Sequence, residues 1–154
     1  MGRVAGIPCS GAAADVDGPT ATMGLYPPGS TFKIVTAGAA IERDMATPHT
    51  LLGCPGTLDI GHRTVTNYNA FDLGTVPMSR AFANSCNTTF AELASTMPPR
   101  GLTQAAAQYG LGPDYVVDGI PTVTGSVPPT VDLAERTEDG FGQGKVLASP
   151  FGMA

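Results

Sequence analysis

A chain of 154 residues holds one domain with a real core and leaves little room for a second. Its 8 basic against 13 acidic residues give a net charge of -5 with no lysine or arginine cluster, which excludes a nucleic-acid partner held by its phosphates. The 42% apolar share, 20 glycines and 14 prolines describe a turn-rich globular domain, and no run reaches the roughly 18 to 20 apolar residues that a bilayer span needs.

Residues 1 to 22 are rich in Gly, Ala and Asp, show no period, and lack the basic start and apolar core of a signal peptide. They read as a loose, disordered leader. The next stretch, LYPPGSTFK from Leu25 to Lys33, halts the chain at Pro27, Pro28 and Gly29 and then turns apolar. Phe32, Val35, Ala39 and Ala40 recur at helical spacing between Thr31 and Glu42, while Ile34, Ala37 and Ile41 fill the other side. The pattern predicts a helix apolar nearly all round, and so one in the middle of the domain. Gly38 within it predicts close approach of a neighbour.

TLDIGHRTVT, from Thr57 to Thr66, predicts a small hairpin turning at Gly61-His62. Two helical patterns follow, one through Met78, Ala81 and Phe82 and one through Phe90, Leu93 and Ala94. Thr75 is the expected N-cap of the first, and Pro98-Pro99 ends the second. Leu102, Ala105, Ala106 and Tyr109 predict a third amphipathic helix closed by Gly110. After a proline-rich loop around Pro121 to Pro129, Ser149 and Pro150 mark the cap and first residue of a last helix. The expected total is four helices, a fifth begun, and very little strand.

Cys9, Cys54, Cys86, His49 and His62 show no CxxC or HxxxH spacing, so neither a metal site nor a cofactor is expected. Chemistry is concentrated instead at Ser30 and Lys33. Residues three apart on a helix share a face, so the hydroxyl and the amine can meet. A serine hydroxyl needs such a base within hydrogen-bond reach to act as a nucleophile, and the positive end of a helix with apolar surroundings would depress the lysine pKa. The bland alternative is a capping serine and a lysine reaching solvent, which Ser-x-x-Lys alone would favour. A lysine in a helix without a polar face shifts the balance, because buried lysines are rare without partners. Ser85 and Asn87 form a second cluster. Two residues apart they share no helix face and could enter one site only from a turn between helices; otherwise they are caps.

Taken together, YPPGSTFK, SCN about fifty residues on, and GQGKVLASPFGMA resemble the transpeptidase domain of penicillin-binding proteins, most like the monofunctional class B type. The likeness runs in order from Leu25 to Ala154 and places a partial transpeptidase domain at residues 23 to 154. It implies the α/β (α+β) fold shared with serine β-lactamases, with this chain mainly its helical half, a small hairpin present and most of the central sheet missing. Position by position it implies that Ser30 is the acylated nucleophile and Lys33 its general base. Ser85 would shuttle a proton, and Asn87 would contact the substrate amide and Lys33. The implied reaction attacks the D-alanyl-D-alanine end of a peptidoglycan stem peptide and passes the acyl group to an amine on a neighbouring strand. β-Lactam antibiotics would trap Ser30, and cell wall synthesis or division proteins would be partners. The implied location is the extracytoplasmic face of the bacterial cell membrane, with any anchor outside this chain.

The family's third motif, Lys-Thr-Gly or Lys-Ser-Gly, does not occur after the GQG segment, and its aspartate or asparagine-arginine approach is missing before Leu25. The expectation is therefore a fragment that, in isolation, acylates weakly or not at all. Because the family acts where disulfides persist, the resemblance also suggests a Cys54 to Cys86 bridge, stabilising by roughly 3 kcal/mol. Two other readings stay open. A serine β-lactamase or β-lactam sensor shares the fold, and STFK is common in class D β-lactamases, although those usually carry Ser-x-Val as the second motif. A non-catalytic helical binding module would keep the motifs and turn nothing over.

Overall fold

A computed structural model describes residues 19 to 113 and 115 to 154. The predicted leader therefore lies outside the described residues up to position 18, and its end forms one helical turn, α1 (Thr20–Met23). The centre of the molecule is α2 (Lys33–Glu42), entered through a 3-10 turn at Gly29–Phe32. Two further helices pack on it, α4 (Asn87–Thr96) and α5 (Gly101–Gln108). Phe32, Val35, Ala39 and Ala40 meet Phe90, Leu93, Leu102 and Ala106 there in one apolar core. The helix is less enclosed than its composition predicts: Ile34 and Ile41 are 49% and 42% exposed. They lie seven residues apart on the stripe that faces away from α4 and α5, so burial on one side suffices. The close approach expected at Gly38 is real, since a Cβ there would run into the Tyr109 hydroxyl.

Among the described residues, strands form three short antiparallel ladders. β1 (Leu51–Cys54) pairs with β4 (Gly74–Pro77), and the predicted hairpin is β2 (Thr57–Ile60) with β3 (Arg63–Thr66), in register from Thr57 opposite Thr66 to Ile60 opposite Arg63. β5 (Gly125–Ser126) pairs with β6 (Leu147–Ala148), and Ala148 also bridges to Tyr26 just ahead of the 3-10 turn. Among the described residues six short strands exceed the expected amount, because the β1 to β4 ladder joins segments about twenty residues apart that show no alternation.

Thr75 does not cap a helix. It stands in β4 opposite Gly53, and α3 (Met78–Ala83) begins after Pro77 with no side-chain cap. The free N–H groups of that helix start are taken by the chain before β1: Met78 donates to the Thr50 carbonyl at 2.9 Å and Ser79 to that of Pro48 at 3.0 Å. The C-terminus of α5 closes as expected, with Gly110 donating to Ala107 and Leu111 to Ala106. At the end of the chain, Ser149 accepts from Gly152 N–H and Pro150 opens α7 (Pro150–Met153), which packs on α1. Besides the α1 turn, one more helix among the described residues is not expected from the sequence, α6 (Leu133–Asp139), capped by Asp132 through Glu135 N–H at 2.8 Å. Its buried residues are Thr137 and Asp139, so no apolar stripe announces it.

Candidate active site

The turn that carries Ser30 is built by restriction and release. Pro28 holds φ near -70°, Gly29 takes φ +57°, and the chain then drops into the 3-10 turn that carries Ser30. Ser30 caps nothing. Its Oγ accepts from Lys33 Nζ at 3.0 Å, one turn on.

Lys33 is 1% exposed, and four acceptors surround its nitrogen. Besides Ser30 Oγ these are the Ser85 carbonyl at 2.7 Å, Ser85 Oγ at 2.8 Å and Asn87 Oδ1 at 2.6 Å. Ser85 Oγ in turn donates to Ser30 Oγ at 2.9 Å. Burial lowers the lysine pKa from its ordinary value to about 8. The two carbonyl-type acceptors can never donate, so a neutral amine spends both N–H bonds on them. Its lone pair is then left for the hydroxyls, which is the arrangement a base needs.

The structure thus brings Ser30, Lys33, Ser85 and Asn87 into one hydrogen-bonded cluster. The SCN segment does so from the turn between α3 and α4. Ser85 donates to the Phe82 carbonyl and Cys86 to that of Ala81, both at 2.9 Å, which is the closure that normally ends a helix with glycine. Ser85 occupies the glycine position at φ +57°, where a side chain costs about 1 to 2 kcal/mol. Asn87 opens α4, and its Nδ2 donates to the Thr66 carbonyl at the end of β3, turning Oδ1 toward Lys33.

Cys86, between them, is disulfide-bonded to Cys54 of β1 with Cα atoms 6.1 Å apart. Beneath the bridge lies Asn67, 2% exposed, a residue with no distinguishing signal in the sequence. Its Nδ2 donates to the Pro55 and Phe71 carbonyls and approaches both sulfurs, while its Oδ1 accepts from Thr88 N–H at the start of α4. The GQG segment touches the other side of the site. Gly142, at φ +75°, accepts through its carbonyl from Gly29 N–H at 2.9 Å, and any Cβ there would strike the Gly29 backbone. Among the described residues no group of three or more His, Cys, Asp or Glu is placed to hold a metal ion, and no helix is long and apolar enough to cross a membrane.

The family model for the penicillin binding protein transpeptidase domain matches residues 15–154. The chain belongs to that family. The match begins inside the predicted leader. Among relatives, the peptidoglycan D,D-transpeptidase PbpA of Mycolicibacterium smegmatis is 33% identical over 129 residues, which are 81% of this chain and 26% of the relative. Penicillin-binding protein A from M. tuberculosis, solved as an imipenem acyl-enzyme complex, superposes with TM-score 0.80 at 29% identity over 89% of this chain and 34% of that one. The D,D-transpeptidase domain of a peptidoglycan glycosyltransferase from Eggerthella lenta gives TM-score 0.78 at 28% identity, covering 87% and 36%. The fold is accordingly that of the penicillin-binding-protein transpeptidase domains, mixing helix and sheet, and the chain spans about a quarter of the length of the curated relatives it matches.

Proposed function

We propose that this chain carries the acylation centre of a peptidoglycan D,D-transpeptidase. The observation that carries the reading is the closed cluster of Ser30, Lys33, Ser85 and Asn87, with the lysine buried and its pKa lowered to about 8. Neutral Lys33 takes the Ser30 proton, directly or through Ser85. Ser30 Oγ then bonds to the carbonyl carbon of the penultimate D-alanine of a stem peptide. As the tetrahedral centre collapses, the bond to the terminal D-alanine breaks, and its nitrogen recovers the proton from Lys33 by way of Ser85. An amine from a neighbouring strand repeats the sequence in reverse, leaving a cross-link and free Ser30. Asn87 holds Lys33 through Oδ1 and faces the substrate amide. A β-lactam enters the same path and stays on Ser30, as the acyl-enzyme complexes of the M. tuberculosis relative illustrate for that protein. Such substrates place the working site on the extracytoplasmic side of the bacterial membrane.

Labelling of the full-length protein with a fluorescent penicillin tests the reading. A covalent adduct on Ser30 that disappears in Ser30→Ala is the expected result, and labelling that survives the substitution would refute it.

A further inference from the structure

The loop that follows α6, residues 140 to 146, touches the Ser30–Lys33 turn at both ends. The Gly142 carbonyl accepts from Gly29 N–H at 2.9 Å, immediately before the nucleophile. The Gly140 carbonyl accepts from Thr36 Oγ1 at 2.7 Å, on the helical turn after Lys33. A segment with glycines at 140, 142 and 144 has little stiffness of its own, so something must close it. Asp139 does this. The side chain is 1% exposed, its Oδ1 accepts from Lys145 N–H at 2.7 Å, and Val146 N–H also points to the carboxylate. Gly144 lies so close that a Cβ would run into that carboxyl group.

We propose that Asp139 is a positioning residue for acylation: its ionised carboxylate ties the 140–146 loop closed, and the closed loop holds the Ser30–Lys33 turn in place. The inference rests on the reading of Ser30 as the nucleophile. A carboxylate only accepts, which suits two converging backbone N–H groups, whereas an asparagine would turn its own NH2 toward one of them. Packing alone would not choose a charge here. Burial pushes the Asp139 pKa up to about 6, the Lys145 N–H opposes the shift, and Glu135 and Glu138 reinforce it. Relative to the unfolded chain the buried charge costs stability above about pH 6, a cost that fades as the pH falls. Relative to a folded state with the loop open and Asp139 still buried, the Lys145 and Val146 N–H groups hold the pKa down, so ionisation favours the closed loop and protonation releases it. The charged groups nearby are Glu135 and Glu138 on its own helix, Lys145 paired with Glu135, and Arg63 of the hairpin paired with Glu138. α2 and α4 meet the loop through Thr36, Phe90 and Ala94, which do not titrate.

An NMR titration of the full chain reads the coupling directly. The Asp139 carboxyl, the Lys145 amide and the Gly29 amide should shift with one common midpoint, near 6, and Gly29 should exchange its proton faster below it. In Asp139→Asn the step at Gly29 should vanish. A Gly29 amide that stays flat while Lys145 follows Asp139 overturns the proposal, and the wild-type titration decides this even where the variant fails to fold. Penicillin labelling of the full-length protein adds the functional arm. Below about pH 6 its rate should fall up to about a hundredfold per pH unit in the wild type, tenfold for each of the Lys33 and Asp139 protons, but only tenfold in Asp139→Asn. Equal slopes in both proteins would also overturn it. Absence of any Ser30 adduct would instead remove the reading of the nucleophile and leave the Gly29 coupling standing.

Discussion

Lys33 is surrounded by two segments built in opposite ways. The Gly29–Lys33 turn is local: prolines and a glycine set its entry, and helix geometry alone brings Ser30 Oγ to within 3.0 Å of the amine. The Ser85–Asn87 turn is made from a distance. Cys54 holds it through a disulfide from 32 residues away, Thr66 orients Asn87, and Asn67 fixes the start of α4. A buried lysine on a rigid helix is thus met by partners on a turn whose backbone, left alone, would favour glycine at Ser85. Strain on one side of the site is held by covalent and buried polar contacts rather than by the local sequence.

The two halves should fail differently. Ser30→Ala removes the attacking atom, and no covalent penicillin adduct should form. Lys33→Ala leaves the nucleophile without its base, and acylation measured by stopped-flow should slow by about 100-fold to 10,000-fold. Breaking the second half costs stability first. The paired Cys54→Ser and Cys86→Ser substitution should lower the unfolding free energy by about 3 to 4 kcal/mol in the chain-entropy model, read by urea denaturation, and labelling should slow as the turn loosens. Ser85→Gly should separate the two properties, raising stability by about 1 kcal/mol while slowing acylation through loss of the hydroxyl relay. Thr75→Ala should change stability by less than about 0.5 kcal/mol, because β4 leaves that side chain exposed, whereas loss of a true N-cap would cost about 1 kcal/mol.

What the sequence makes legible follows the same division. Helical spacing announces α2, α4 and α5, and the signals at Gly110 and Ser149 act within a few residues, so both ends can be read in place. The Ser30–Lys33 pair is legible for the same reason. Ser85 and Asn87 are legible only as a motif, since their meeting at Lys33 depends on contacts more than fifty positions apart. Thr75 misleads because its strand partner, Gly53, is distant and carries no pattern. Asn67 and Asp139 give no signal at all: a buried polar side chain satisfied by backbone groups looks in sequence like any residue in a loop or on an exposed helix. α6 stays hidden for the related reason that it buries Thr137 and Asp139 rather than leucines.

The central claim is that Ser30 is acylated with Lys33 as its neutral base. Its most direct test is the pH dependence of penicillin acylation in the full-length protein, with the modified residue located by mass spectrometry. Because only the unprotonated amine can accept the serine proton, the rate should rise about tenfold per pH unit from about 6.5, level off above the Lys33 pKa of about 8, and place the adduct on Ser30. A rate that is flat across that range, or an adduct on another residue, would contradict the account.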